Sequence, residues 1–373
     1  MKNASIKIRN AFIRFGYRYI LKPVFFRMDP EDIHNRMTVT GKFLGRHWLT
    51  KKLSGIMFRY SNKTLEQDIL GIHFPNPIGL SAGFDKNAEL TDILPEVGFG
   101  FVEVGSITGE PSSGNPRPRL WRLKKSEALV VNYGLKNDGC EKISRRLKGK
   151  HFKIPTGISV AKTNSKDTVE TEKGIHDYAK AFRHFIDIGD YFTINISCPN
   201  AYGGQPFTDP NKLEKLLEVI DRIHTDKPVF LKFSPDLTRM ELDDIIHVAE
   251  KHRVHGFIGT NLTKNRQNPK IVDKDLPGTG GISGKVLEDL SNDMIRYIYR
   301  KTKGKFIIIG SGGVFSAQDA YKKIKAGASL IQLITGMIFE GPQIVSSINM
   351  GLVELLKRDG YSNISEAVGK EHR

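Results

Sequence analysis

Eight apolar, strand-like runs recur along the chain from about residue 68 onward, and amphipathic helical patterns separate several of them. The runs lie at 77–81, 100–105, 156–161, 191–196, 229–233, 256–260, 306–310 and 330–335. Short continuous apolar runs bounded by turn residues are typical of buried parallel strands. Because eight strands alternate with helices, the pattern predicts an α/β protein with a (β/α)8 TIM barrel.

Capping signals mark the helices between these runs. Asp209 precedes a proline and an amphipathic stretch, which indicates a helix N-terminus. Thr238 with Glu241, and Ser316 with Asp319, have the spacing of capping boxes. These signals predict helices that begin at about residues 210, 239 and 317.

A pair of amphipathic helices is predicted before the barrel. The first covers residues 5–27, mixes aromatic and aliphatic residues with Lys and Arg, and is interrupted at Pro23. Asp29 is the expected N-cap of the second, with Pro30 at its first position, and that helix runs to about residue 44. We assign 1–63 to these helices and 64–373 to the barrel. The helices suit docking on a lipid surface, and packing on the barrel as an ordinary extension is the alternative.

Charge is concentrated in the N-terminal helices. The 373 residues have a net charge of +16, and 39% are hydrophobic, as expected for a globular protein. Residues 1–63 contain 14 Lys/Arg against 3 Asp/Glu, so +11 of the +16 lies there. The remainder is nearly balanced, which argues against a nucleic-acid partner. A basic segment rich in apolar residues favours a membrane surface or another anionic partner.

The two cysteines, Cys140 and Cys198, fit neither a disulfide framework nor the spacing of metal ligands, and we predict no metal. Cys140 is interpreted as a small buried apolar residue. No uncharged apolar run reaches 18 residues, and the N-terminus lacks the pattern of a secretory signal. The acid-free, basic N-terminus has a feature of mitochondrial presequences but is not Ser-rich.

Residues at the carboxyl ends of the strands form the candidate site, because chemistry in such barrels lies at that end. In the stretch 191–207, YFTINISCPNAYGGQPF, Asn195 and Asn200 flank Cys198 at a strand end. Amides can hold a flat heterocycle, and a thiol can accept or donate a proton. Lys86 and Lys232 bring positive charge to two other strand ends.

Glycines at the last two strand ends indicate a phosphate site. Residues 310–313 are Gly-Ser-Gly-Gly, and Thr335-Gly336 follows the eighth run. Backbone N–H groups and a helix N-terminus commonly bind phosphate at this place in a barrel. The loop 278–284, GTGGISG, is expected to add a second backbone cradle. A phosphate site beside amides and a lysine fits flavin mononucleotide (FMN), with Lys232 near the carbonyl edge of the ring.

The chain resembles dihydroorotate dehydrogenases along nearly its whole length. The matching motifs are NPIGLSAGFDK (76–86), GNPRPRLWRL (114–123), NISCPN (195–200), TN (260–261), GGISG (280–284) and IGSGG (309–313). The N-terminal segments LKP (21–23) and DPEDIH (29–34) resemble the membrane-associated, quinone-dependent class, in which the helices form a quinone tunnel.

The resemblance implies a role for each matching residue. Flavin contacts fall on Ala82, Gly83, Ser106, Asn195, Lys232, Thr260, Gly284, Gly312, Gly313, Thr335 and Gly336. Substrate contacts fall on Lys86, Asn132, Asn195, Asn200 and Asn261, and the quinone-side residues are His34 and Arg122. The implied reaction removes a proton from C5 of dihydroorotate, with Cys198 and Lys86 as catalytic residues, and transfers a hydride from C6 to the flavin, which a quinone re-oxidises.

Several positions depart from the pattern of the quinone-dependent class. Cys198 stands where that class has a serine, and the loop 201–207 differs. Other departures are Val131 at an amide position that Asn132 fills only by a shift, Ser159 for Asn, Leu262 for Thr and Ile334 for Tyr. They leave two alternatives open: an FMN-dependent paralogue acting on another small cyclic or unsaturated substrate, and a non-catalytic membrane-surface barrel. The expected location is the cytoplasmic face of a bacterial inner membrane, or the mitochondrial inner membrane in a eukaryote.

Overall fold

The structure is a computed structural model that describes residues 2–372, with side chains from residue 4 onward. Its strands are β1 (Gln67–Ile69), β2 (Ile72–Phe74), β3 (Ile78–Leu80), β4 (Phe101–Ile107), β5 (Leu120–Leu123), β6 (Ala128–Val131), β7 (Thr156–Val160), β8 (Tyr191–Asn195), β9 (Val229–Lys232), β10 (Gly256–Gly259), β11 (Gly281–Gly284), β12 (Ile307–Ser311) and β13 (Leu330–Leu333). Its helices are α1 (Lys2–Gly16), α2 (Lys22–Phe25), α3 (Pro30–Arg46), α4 (Trp48–Phe58), α5 (Leu94–Val97), α6 (Cys140–Leu147), α7 (Thr171–Arg183), α8 (Pro210–Asp221), α9 (Arg239–Lys251), α10 (Glu288–Thr302), α11 (Ala317–Lys325), α12 (Thr335–Glu340) and α13 (Ile344–Asp359).

A closed parallel barrel forms the centre of the molecule, in the strand order β3-β4-β7-β8-β9-β10-β12-β13. These are the eight apolar runs, so the predicted (β/α)8 barrel is confirmed. The hairpin of β1 and β2 packs Phe74 edge-on against Phe101, with ring centroids 5.5 Å apart. Phe101, Tyr191 and Leu330, each the first residue of a barrel strand, belong to the same apolar cluster. The amino end of the barrel is therefore closed, and a ligand enters from the carboxyl end.

The predicted capping signals are present. Asp209 accepts a hydrogen bond from the backbone N–H of Lys212, and Ser316 accepts one from the backbone N–H of Asp319. The predicted capping box at Ser316 forms only in this half, because the carboxylate of Asp319 accepts from the N–H of Phe315. Thr238 and Glu241 form both halves of a capping box. Side chains at these caps satisfy N–H groups that have no partner within the helix, which fixes where α8, α9 and α11 begin.

A three-stranded antiparallel sheet, in the order β11-β6-β5, lies outside the barrel and was not predicted. The prediction that 278–284 is a loop was wrong for Gly281–Gly284, which pairs with Ala128–Val131 as β11. Pairing requires only backbone groups, so glycines do not prevent it. Leu120, Leu129 and Ser283 bring this sheet to the carboxyl-end cavity.

The N-terminal helices differ from the prediction in two ways. The first helix is not interrupted at Pro23: α1 continues through a π-helical turn, Tyr17–Leu21, into α2, where Pro23 occupies the first turn. Pro23 has no N–H to donate, and the hydrogen bonding changes to the π-helical pattern immediately before it, where Lys22 donates to the carbonyl of Tyr17. Asp29 caps α3 as predicted, accepting from the N–H groups of Glu31 and Asp32. A third helix, α4, follows and was not predicted.

A buried ion pair holds these helices against the barrel domain. Glu31 in α3 accepts two hydrogen bonds from Arg119, at 2.8 and 3.0 Å. Arg119 also donates to the backbone carbonyls of Ser113 and Asn115. Both charged side chains are buried. Two parallel bonds in a desolvated place fix orientation as well as distance, so α3 has a defined position above the barrel.

Candidate active site

One cavity opens at the carboxyl end of the barrel, and residues in or immediately after every barrel strand except β7 line its wall. Most residues predicted for the site line it: His34, Ala82, Gly83, Lys86, Ser106, Asn195, Cys198, Asn200, Lys232, Thr260, Asn261, Gly284, Gly312, Gly313, Thr335 and Gly336. The fold therefore brings together residues that are separated by up to 302 positions, from His34 to Gly336.

Two predicted residues do not line the cavity. Val131 faces it instead of Asn132, whose side-chain oxygen accepts a hydrogen bond from Asn115 at 3.1 Å. Neighbouring residues at a strand end point to opposite sides, so an amide one place later turns away from the cavity. Arg122 donates to the carbonyl of Met28, and its guanidinium stacks over the ring of Phe26.

Polar side chains are linked along the floor of the cavity. The amide of Asn195 donates to the hydroxyl of Ser106 at 2.8 Å, and Ser106 pairs with the buried Ser159 at 2.7 Å. Lys232 donates to Ser81 at 3.1 Å. These bonds fix polar side chains at the carboxyl ends of β4, β8 and β9.

Cys198 lies at the cavity wall beside two amides. The buried Ser197 donates through its backbone N–H and its hydroxyl to the side-chain oxygen of Asn195. Asn261 donates to the carbonyl and the hydroxyl of Ser197, each at 3.0 Å. Burial raises the pKa of the Cys198 thiol, and the nearby charge of Lys162 opposes this. The thiol is therefore held in place and protonated at neutral pH in the unliganded protein.

The loop after Cys198 is tied to its neighbours at Tyr202. The buried ammonium of Lys162 donates to the Tyr202 carbonyl at 2.6 Å, and the Tyr202 N–H donates to Asn164 at 2.8 Å. Gly203 and Gly204 follow with φ of +74° and +67°, which other residues rarely adopt. The loop thus has a fixed base and a turn at its tip.

Lys86 lies between the barrel and helix α3. Its ammonium is 3.1 Å from Nε2 of His34 and 4.1 Å from the ring centroid of Tyr133. Burial lowers the pKa of Lys86 to about 7. Burial, together with the charge of Lys86, lowers the pKa of His34 to about 3, so His34 is the neutral acceptor.

Sequence reasoning missed four residues of the site: Tyr133, Ser283, Gln332 and Glu103. The first three line the cavity, and Glu103 lies behind the wall, where its carboxylate accepts from Gln332 at 3.0 Å. One signal was available, because Glu103 is the single charge in the apolar strand β4.

The cavity wall fits a flat cofactor with a phosphate group. At Gly83, with φ of +106°, an added Cβ would meet only Cδ1 of Ile334, at 4.0 Å, so this position borders open space. The Oε1 atom of the buried Gln332 has no hydrogen-bond partner in the described structure. Gly312 and Gly313 adopt positive φ at the end of β12, the strand that pairs with β13, which contains Gln332. The described residues contain no cluster of three or more His, Cys, Asp or Glu suited to a metal ion.

Comparisons with known proteins agree with this arrangement. The family model described as dihydroorotate dehydrogenase matches residues 64–356. Relatives named "Dihydroorotate dehydrogenase (quinone)" include one from Trichodesmium erythraeum, 37% identical over 375 residues, covering 95% of this chain and 98% of the relative. Another, from Bradyrhizobium sp. (strain ORS 278), is 39% identical over 357 residues and covers 94% of each chain.

Solved structures show the same architecture. The structure of DHODH in complex with ferulenol from Eimeria tenella superposes with a TM-score of 0.81 at 31% identity, covering 92% of this chain and 96% of that one. A ligand-free DHODH structure from the same organism gives a TM-score of 0.77, also at 31% identity, and covers 92% of this chain and 100% of that one.

Proposed function

The chain belongs to the dihydroorotate dehydrogenase family, and we propose that it oxidises dihydroorotate to orotate, with FMN as cofactor and a quinone as electron acceptor. The observation that supports this function most directly is the single cavity shared by Cys198, three asparagines and the glycine-rich ends of β12 and β13. A proton acceptor, a set of amides and a backbone cradle are what this reaction requires of the protein.

The floor of the cavity is the proposed flavin site. Ser106, Asn195, Lys232 and Thr260 would face the ring, and Gly312, Gly313, Thr335 and Gly336 would hold the phosphate through their backbone. When bound, FMN supplies the hydride acceptor and passes electrons to the quinone. Purified protein should therefore release FMN on denaturation, and release of no flavin would refute the proposal.

Cys198 is the proposed base for the proton at C5. Its raised pKa keeps the thiol protonated in the unliganded protein, and only the thiolate can accept a proton, so the bound state must favour the thiolate. Asn195, Asn200 and Asn261 would orient the pyrimidine ring, and Lys86 would pair with the substrate carboxylate. The loop with Gly203 and Gly204 is suited to excluding water from the thiol.

The quinone would approach from the side of helix α3. His34 lines the cavity there, together with the apolar side chains Leu120, Leu129, Phe315 and Ile338. Arg122 lies outside the cavity beside Phe26 and Met28, which places it near α2 and α3. A mostly apolar wall with one polar group suits a quinone ring and its hydrocarbon tail.

The outer face of the N-terminal helices is the proposed membrane contact. Fifteen of the twenty exposed large hydrophobic residues of the described chain lie between Ile8 and Met57. Lys and Arg residues surround them, which suits anionic lipid headgroups. No helix in residues 2–372 is long and apolar enough to cross a membrane. We propose peripheral attachment, at the cytoplasmic face of a bacterial inner membrane or at a mitochondrial inner membrane. One face of the N-terminal helices would dock on lipid, and the opposite face packs on the barrel.

A further inference from the structure

A buried carboxylate lies in the barrel immediately behind the cavity wall. Glu103 in β4 has no solvent exposure. Its Oε2 accepts hydrogen bonds from Thr193 at 2.9 Å and from Gln332 at 3.0 Å. Burying a carboxylate costs free energy unless polar and charged neighbours compensate it. The neighbours of Glu103 therefore indicate which positive group its charge acts on.

The second oxygen of Glu103 faces a lysine of the cavity wall. Glu103 Oε1 lies 3.7 Å from the ammonium of Lys232 and accepts no hydrogen bond in the described structure. On its other side, the same ammonium donates to Ser81 at 3.1 Å. Lys232 is thus held between a hydroxyl in the wall and a carboxylate behind it.

Glu103 is also the acid that balances a positively charged cavity. The cavity-lining residues of the described chain include Lys86, Lys136 and Lys232, and none is Asp or Glu. Lys136 has a carboxylate partner in Glu31, at 3.7 Å, on the side of α3. At the floor, the carboxylate next to Lys232 is Glu103. Charges in a desolvated interior act strongly over such distances.

We propose that Glu103 is a positioning residue for Lys232 and that its negative charge lowers the reduction potential of the bound flavin. The inference rests on the proposed function, because it requires a flavin on the cavity floor. Lys232 favours added electron density on the ring, and Glu103 weakens that effect. The pair would set a potential low enough for the reduced flavin to pass its electrons to a quinone.

The test is the midpoint potential of the flavin in the Glu103→Gln holoenzyme, measured by spectroelectrochemical titration. This change keeps the shape of the side chain and removes its charge. The expected result is at least a tenfold shift toward reduced flavin, which is about 30 mV more positive for a two-electron couple. Reduction by dihydroorotate should become faster and re-oxidation by quinone slower. Thr193→Val, which removes a hydrogen bond to the same carboxylate but no charge, should shift the potential much less.

Further variants separate a charge effect from loss of structure. Lys232→Met should shift the potential in the negative direction. If Glu103→Gln does not retain flavin, Glu103→Gln with Lys232→Met leaves no unpaired charge and should restore binding at nearly the wild-type potential. Three results would overturn the inference. The first is an unchanged potential in flavin-loaded Glu103→Gln, and the second is an equal shift in Thr193→Val. The third is a double variant whose potential differs from that of wild type by as much as the potential of Lys232→Met does. Wild-type protein without flavin would instead refute the proposed function.

Discussion

The ammonium of Lys86 lies 3.1 Å from Nε2 of His34, so the loop after β3 and the N-terminal helix α3 share a hydrogen bond. Lys86 is proposed to bind the substrate carboxylate, and His34 lies on the proposed quinone side. The two half-reactions thus meet at adjacent side chains. Because burial holds His34 neutral, the charge of this pair is that of Lys86.

Orotate binding should depend on the protonation of Lys86. The pKa of Lys86 is lowered to about 7, so its charge is present below pH 7 and lost as the pH rises. Orotate affinity, measured by the perturbation of flavin absorbance, should fall up to about tenfold per pH unit above 7. Lys86→Met should bind orotate weakly at every pH. A wild-type affinity that is constant between pH 6 and 8.5 would contradict this assignment.

Cys198→Ala should retain flavin and lose reduction by dihydroorotate. A general base contributes about 100-fold to 10,000-fold in rate, so stopped-flow reduction should slow by at least about 100-fold. Cys140→Ala is the matched control, because that thiol is buried and donates to the carbonyl of Gly109, away from the cavity. Reduction of Cys198→Ala at the wild-type rate would exclude the thiol from the reaction.

Lys162→Met should move the pH profile of flavin reduction to higher pH. Burial raises the pKa of Cys198, and the charge of Lys162 lowers it, so removal of that charge raises it further. A rise of one pKa unit lowers the rate at neutral pH about tenfold. Lys166→Met, an exposed lysine of the same segment, should have no effect. A lower rate with an unmoved profile would mean that Lys162 only anchors the carbonyl of Tyr202.

Glu31→Gln should loosen α3 from the barrel domain. The change leaves the buried Arg119 without its ionic partner, which typically costs about 3–5 kcal/mol in the free energy of unfolding. Re-oxidation by a long-chain quinone should slow more than reduction by dihydroorotate, because α3 contributes to the wall on the proposed quinone side, whereas the substrate-binding asparagines belong to the barrel. Asp32→Asn changes an exposed acid of the same helix turn, and it should alter the free energy of unfolding and the rate of re-oxidation much less. Equal losses in the two half-reactions would contradict the division between barrel and helices.

Phe12→Asp should weaken binding to anionic liposomes. Phe12 is 78% exposed on α1, and Met240 is 74% exposed on α9, outside the N-terminal helices. Met240→Asp therefore introduces the same charge at an equally exposed apolar site and should leave sedimentation with liposomes unchanged. Flavin reduction in solution should be normal in both variants. Equal retention of Phe12→Asp and wild type on liposomes would place the membrane contact elsewhere.

The barrel was predictable because its strands are continuous apolar runs, which leave a strong signal in one sequence. The antiparallel sheet was not, since the glycines of β11 are typical of loops and its pairing partners lie about 150 residues away. Helix α4 was missed because apolar residues such as Trp48 and Leu53 face outward, unlike those of a helix in a protein core.

The site shows the same limits. Side chains just after strands were found because barrel geometry collects strand ends at one edge. The alternation at the end of β6 could not be resolved, since a shift of one residue exchanges Val131 and Asn132 between the two faces. The link between Glu103 and Lys232 joins residues 129 positions apart on β4 and β9, and only the closed barrel reveals it.

The most direct measurement is anaerobic titration of the purified protein, followed by its flavin absorbance. Dihydroorotate should bleach the spectrum, orotate should form in equal amount, and a quinone should then restore the oxidised spectrum. A flavin that another small cyclic substrate reduces, but dihydroorotate does not, would indicate a paralogue. A flavin that dihydroorotate reduces but no quinone re-oxidises would contradict the assigned electron acceptor.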